Sequence, residues 1–274
     1  MPETALTTST VTWAPAPPPT PQPGRAFALY ARHSPGYEAR LASAQALLAT
    51  AAHDFAGSIV QATSLGAEDM VITDLIVRAG LPIALATLDT GRLHPETVAL
   101  MERLQIHWGV PLEIYRPDPQ QVADFVHTQG EDAMYRSRAL RQACCALRKL
   151  QPLAQMLRGR RAWITGLRRE QSDTRAQVPL IDRDADGRVK FNPLAEWHWS
   201  DVWHYIATHD VPYNPLHDAF MPSIGCAPCT RAIAVGEDFR AGRWWWEDDA
   251  QRECGLHVRH GARPLAPNSE ERTA

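Results

Sequence analysis

Between residues 58 and 165 the chain alternates short apolar runs with amphipathic stretches, and this alternation limits its fold more than any other feature. Residues 58–63, 83–88, 112–115 and 162–165 read as strands: they are brief, rich in Ile, Val, Leu and Thr, and bounded by turn residues. Helical patterns separate them over residues 68–78, 95–108, near 120–127 and across 144–157, after an Ala/Leu-rich helix ending near Phe55. Strands joined by helices through short connections predict a single α/β domain with a mainly parallel, twisted sheet flanked by helices. In such a sheet, ligands bind at the carboxyl ends of the strands.

The flanks differ in texture. Residues 1–24 hold seven of the 22 prolines, with almost no charge. Such a segment cannot bury a core and is expected to be a disordered, Pro-rich tail. The expected division is therefore tail 1–24, α/β domain 25–235 and C-terminal segment 236–274. Past Gly166 the sequence is Arg-rich and Pro-punctuated, with one clear helix over residues 201–208 and Ser200 as its expected N-cap. This part is expected to wrap the sheet edge and supply site loops.

At a net charge of −3 there is no basic field, so no nucleic-acid partner is expected. No run of 18 apolar residues is present, so no membrane span is expected. A start without a basic region or an apolar core argues against secretion, which places the chain in the reducing cytoplasm. Arginines at 136, 138, 141, 148, 158, 160 and 161 crowd one stretch and read mostly as a solvated helix face. Lys149 stands out there, since Lys190 is the only other lysine.

Three strand ends carry candidate binding residues. Ser64-Leu-Gly66-Ala-Glu-Asp69 sits at a strand-to-helix junction, where the glycine permits a tight turn and free helix N–H groups favour an anion. The lysine of a Walker loop is missing. Leu88-Asp-Thr90-Gly-Arg92 follows the second strand, and Gly166-Leu-Arg168-Arg169 follows the fourth, with guanidiniums suited to oxyanions. As plain structure, these are also an acidic helix start, an Asp-Thr-Gly turn and an exposed arginine pair.

The five cysteines divide into Cys144–Cys145, Cys226-Ala-Pro-Cys229 and Cys254. Four sulfurs can close one metal site, and zinc and an iron–sulfur cluster both fit on ligand count. A thioredoxin-like dithiol is an alternative for Cys226 and Cys229, disfavoured by the missing Trp. Cys254, in Glu-Cys-Gly-Leu-His257, is left over as a nucleophile candidate. Arg240-Ala-Gly-Arg243-Trp-Trp-Trp lies shortly before it, placed to depress a thiol pKa or hold an anion.

This ordered set resembles the assimilatory adenylylsulfate (APS) reductases of bacteria, iron–sulfur members of the PAPS/APS reductase family. Their Cys-Cys…Cys-x-x-Cys, Gly-Ala-Glu-Asp, Leu-Asp-Thr-Gly-Arg, Ile-Thr-Gly-x-Arg-Arg-x-Gln-Ser, Arg-x-Gly-Arg-Trp-Trp and Glu-Cys-Gly-Leu-His motifs all stand here. Leu65 and Val98 depart mildly from the pattern. The resemblance implies an adenine nucleotide alpha hydrolase-like fold and a [4Fe-4S] cluster on Cys144, Cys145, Cys226 and Cys229. It implies Cys254 as the catalytic thiol, and Lys149, Arg240, Arg243 and His257 on the sulfate and phosphate. Ser64, Gly66, Leu88, Thr90, Gly166 and Arg168 would form the nucleotide pocket. It further implies thioredoxin-dependent reduction of APS to sulfite and AMP through a Cys254 thiosulfonate, serving sulfate assimilation and cysteine biosynthesis. Thioredoxin or glutaredoxin would be the reductant, and a homodimer or homotetramer the assembly. The competing expectations are PAPS reduction, or a non-catalytic zinc-stabilised nucleotide-binding regulator.

Overall fold

The computed structural model describes residues 25–247. The Pro-rich segment 1–24, Cys254 and His257 lie outside the described residues.

A six-stranded sheet has the order β3-β2-β1-β4-β6-β5, where β1 is Ile59–Thr63, β2 Ala84–Leu88, β3 Glu113–Tyr115, β4 Ala162–Ile164, β5 Ile181–Arg183 and β6 Val189–Phe191. All neighbours are parallel except β5, which pairs antiparallel with β6 at the edge. The chain runs outward from β1 to β3 and then returns to β4 on the other side of β1. That reversal opens a crevice beyond the carboxyl ends of β1, β2 and β4.

The period-2 alternation of strand side chains divides the core between the two faces. Ile59, Leu85, Ile164 and Phe191 pack against α2 (Tyr37–Asp54), α3 (Ala67–Arg78), α4 (Pro95–Trp108) and α8 (Trp199–His209). Val60, Ala86 and Trp163 point the other way, onto Met156 and Leu157 at the end of α7 (Gln151–Met156). Between β3 and β4 the chain forms α5 (Pro119–Gln129), then α6 (Arg138–Cys145), a π-helical turn over Ala146–Leu150, and α7. A short α1 (Arg25–Tyr30) precedes the first long helix and packs on α8.

Several local expectations change. At the first strand end the left-handed residue is Leu65 (φ 61°), whereas Gly66 has an ordinary φ of −74°. A β-carbon in that region costs roughly 1–2 kcal/mol. Here the Leu65 side chain is fully buried in the main core, which offsets the strain. The N-cap of α8 is His198 rather than Ser200, and the Asp201 carboxylate accepts the His198 backbone N–H at 2.9 Å. The helix expected across 144–157 is broken by the π turn, a distortion that often marks a functional position. The region past Gly166 also contributes two strands that widen the sheet, not only loops that wrap it.

Candidate active site

The crevice is an open cleft lined by the strand ends and by α7. Of the expected nucleotide-pocket residues, Ser64, Leu88, Thr90 and Gly166 line it, and Lys149 reaches its wall. Gly66 and Arg168 are not among the lining residues.

Ser64 is fixed by Asp69, whose Oδ2 accepts both the Ser64 backbone N–H and its hydroxyl, each at 2.6 Å. Burial pushes the Asp69 carboxyl up to about 6, opposed by those two hydrogen bonds. The helix beneath is anchored to the sheet through Gln61, which donates to the Asp69 carbonyl at 2.8 Å and accepts from Thr73 at 3.0 Å. Gly166 is needed for close approach: a Cβ there would stand 2.5 Å from Asp69 Oδ1 and 3.0 Å from Glu68 Cβ.

Arg168 turns away from the cleft into the protein. Its Nε donates to Glu68 Oε1 at 2.9 Å, and its guanidinium lies over the Trp199 ring at 5.2 Å. Gln171 donates to the same Glu68 oxygen at 2.9 Å. Glu68 does line the cleft, so Arg168 acts on the pocket wall through it. Arg175, on which sequence reasoning placed no role, also lines the cleft, donating to Gln171 Oε1 at 2.6 Å. Its signal was weak: one arginine in a polar Asp-Thr-Arg turn.

A second, much smaller pocket adjoins the first, and Lys149 lines both. Cys144, Cys145, Cys226 and Cys229 all face it, together with Arg92, Arg141 and Arg148. The elements that meet here are distant in sequence. Cys226 bridges to Leu93, the Ala227 N–H donates to the Arg92 carbonyl at 2.8 Å, and the Thr90 hydroxyl stands 3.2 Å from Cys226 Sγ. Arg148 donates to the Thr90 carbonyl at 2.8 Å, tying the cysteine pair to the second strand end. Arg141 and Arg148 are buried, so these two are not part of a solvated face; Arg136, Arg138, Arg158 and Arg161 are exposed as expected.

Burial and neighbouring cations pull these thiols in opposite directions. Burial pushes Cys229 up to about 11, with Cys226 adding to the rise and Lys149 and Arg243 opposing it. Burial raises Cys144 as well, against the pull of Arg148. Buried thiols ringed by cations form a donor set that would bind as thiolates once a metal group offsets their charge. Among the described residues no three His, Cys, Asp or Glu side chains converge tightly enough for a single metal ion.

Residues 240–247 close this pocket from outside. Arg243 bridges to Thr230, its Nε donates to the Cys229 carbonyl at 3.2 Å, and its guanidinium stacks 4.6 Å from the Trp244 ring centre. Arg240 lies 5.9 Å from the same ring. Thus Lys149, Arg240, Arg243 and the four cysteines are brought to one region.

The phosphoadenosine phosphosulfate reductase domain model matches residues 58–232. A protein from Allochromatium vinosum named adenosine 5′-phosphosulfate reductase is 57% identical over 213 residues, covering 77% of this chain and 83% of that protein. One of the same name from Burkholderia cepacia is 48% identical, covering 76% and 84%. Among solved structures, the phosphoadenylyl-sulfate (PAPS) reductase from Candida auris, a phosphate complex, superposes with a TM-score of 0.58 at 26% identity, covering 72% of this chain and 98% of that one. The FMN adenylyltransferase of Candida glabrata, at 13% identity, a TM-score of 0.51 and coverage of 81% and 77%, shares the fold alone. A sheet order that opens its crevice at β1, β2 and β4, a matched domain over most of the described residues and these relatives agree: the chain belongs to the PAPS/APS reductase family.

Proposed function

We propose that this protein is an oxidoreductase that converts adenosine 5′-phosphosulfate to sulfite and AMP, with Cys254 as nucleophile and thioredoxin, or a like dithiol protein, as reductant. The observation that carries this reading is the shared wall at Lys149: one ammonium lines the strand-end cleft and the four-cysteine pocket together. Relatives named for APS reduction support the substrate.

Ser64, Leu88, Thr90 and Gly166 would hold the adenosine, with Gly66 and Arg168 supporting from behind. Lys149, Arg240, Arg243, His257 and, from its place in the cleft, Arg175 would hold the phosphate and sulfate. Cys144, Cys145, Cys226 and Cys229 would hold a [4Fe-4S] cluster, which when bound supplies a fixed electrostatic centre beside the anion-binding wall. Cys254 follows Glu247 by seven positions, so its Cα can lie at most about 25 Å from that anchor.

The Cys254 thiolate attacks the sulfate sulfur, the bond from that sulfur to the bridging oxygen breaks, and AMP leaves with the electron pair. Nearby guanidiniums favour both the thiolate and the departing phosphate. One thiolate of the reductant then attacks Cys254 Sγ and displaces sulfite. Its second thiol closes a disulfide and frees Cys254, so the two electrons that reduce sulfur come from that dithiol. The chemistry suits the reducing cytoplasm and the supply of sulfite for cysteine biosynthesis.

With APS carrying ³⁵S in the sulfate, the protein should take up label that thioredoxin releases as sulfite, and Cys254→Ser should take up none. Label on Cys254→Ser would overturn the nucleophile. PAPS outcompeting APS in the same assay would replace the substrate, a reading that the Candida auris neighbour keeps relevant.

A further inference from the structure

The segment 240–247 is held against the cysteine pocket at both ends, by different means. At its start the grip is backbone: Arg231 N–H donates to the Gly242 carbonyl at 3.0 Å, and a Cβ on Gly242 would run into the Arg231 carbonyl oxygen. In the middle, Trp244 is fully buried yet takes a left-handed φ of 45°, a conformation that needs support from its surroundings. At the far end the grip is a buried ion pair. Glu247 receives Arg141 in a two-point fork, Nε to Oε1 at 2.5 Å and Nη2 to Oε2 at 2.9 Å.

Arg141 has two further contacts. It lines the four-cysteine pocket one helical turn before Cys145 on α6, and its guanidinium lies 4.7 Å from the Trp244 ring centre. One buried cation therefore joins the four-cysteine pocket, the strained tryptophan and Glu247, seven positions before Cys254.

We propose that Arg141 and Glu247 form a positioning latch, through which filling of the four-cysteine pocket and seating of the strap bearing Arg240, Arg243 and the Cys254 tether stabilise one another. It rests on the proposed function for the roles of the cysteines. The physical basis is that a buried guanidinium stripped of one anionic neighbour is costly. A group held by Cys144 and Cys145 would fix the end of α6, and with it Arg141 one turn earlier and its partner Glu247; with the pocket empty, that helix end is free to shift and the grip loosens. Coupling of this kind is reciprocal.

The test uses the iron-loaded protein and needs no turnover. Trypsin cleavage after Arg240 and Arg243, both buried, and maleimide labelling of Cys254 are followed by peptide mass spectrometry. Glu247→Gln should speed cleavage about tenfold or more and hasten Cys254 labelling, while Glu247→Asp recovers part of the protection. Stripping iron from the unaltered protein with a chelator should bring it to the Glu247→Gln rate, and stripping the variant should add less than twofold. Should the variant purify without iron, equal rates in it and the stripped parent support the latch, and unequal rates overturn it. Cleavage of loaded Glu247→Gln within twofold of the parent overturns it, as does stripping that adds its full effect on top of the variant. A protein that fails to reduce APS yet shows this coupling refutes the function and leaves the latch standing.

Discussion

Replacing Arg168 with Met tests how the cleft wall is built. Arg168 is completely buried, and its Nε bond to Glu68 spans 100 residues of sequence. Methionine keeps the length and packing against Trp199 but leaves Glu68, itself buried, without its cation. Gln171 still donates to Glu68 Oε1 at 2.9 Å, yet a neutral amide does not balance the charge. Breaking one side of a buried pair costs about 3–5 kcal/mol. For a domain of this size that is roughly 6–20 °C in Tm. The double variant Glu68→Gln, Arg168→Met removes the stranded charge while keeping an acceptor for Gln171, and should recover at least half the loss. Thermal unfolding followed by circular dichroism reads both. APS affinity should fall in the single variant, because an unpaired carboxylate then faces an anionic nucleotide, and return in the double. A single variant as stable as the parent refutes the argument. Normal stability with affinity lost equally in both variants would place Arg168 on the substrate instead.

Two buried groups give pH dependences of opposite sign. Asp69, raised to about 6 by burial, takes up a proton more readily folded than unfolded, so its contribution is present at low pH and is lost as pH rises from about 4 to 6, about 3 kcal/mol in all. His217, lowered to about 4 by burial beside Trp199 and Trp203, contributes fully above pH 6.5 and loses a similar amount as pH falls to 4. Asp69→Asn should therefore steepen, and His217→Gln flatten, the fall of stability on acidification, measured by urea melts from pH 4 to 7; unchanged slopes contradict the assignment. Gly166→Ala forces a methyl against Asp69 and should cost about 1–3 kcal/mol and weaken nucleotide binding, read by urea melts and calorimetry; a variant binding as tightly as the parent counts against the close packing.

Much of the frame was legible in order along the chain. Short apolar runs bounded by turn residues marked four of the six strands, and their alternation with helices placed the cleft at the carboxyl ends where Ser64, Leu88 and Gly166 now stand. The strands β5 and β6 were missed because Asp182, Arg183 and Lys190 interrupt any apolar run there, and β5 lies half-exposed at the sheet edge. Leu65 and His198 defied local preference, since burial of a leucine and donation of the His198 N–H to the Asp201 carboxylate outweigh it.

What the sequence by itself determined is the inventory and its order: an alternating α/β core, two cysteine pairs, a fifth cysteine and an arginine-rich approach to it. Pattern and spacing are local properties, and they survive in a string of letters. What only the tertiary structure decided is which charges are buried and what they face. Arg168 turned inward to Glu68, Arg141 closed on Glu247 across 106 residues, Arg175 entered the cleft, and Lys149 came to wall two pockets. A guanidinium reads the same in sequence whether water or a buried carboxylate meets it. Desolvation and long-range pairing make the choice, and both exist only once the chain has folded.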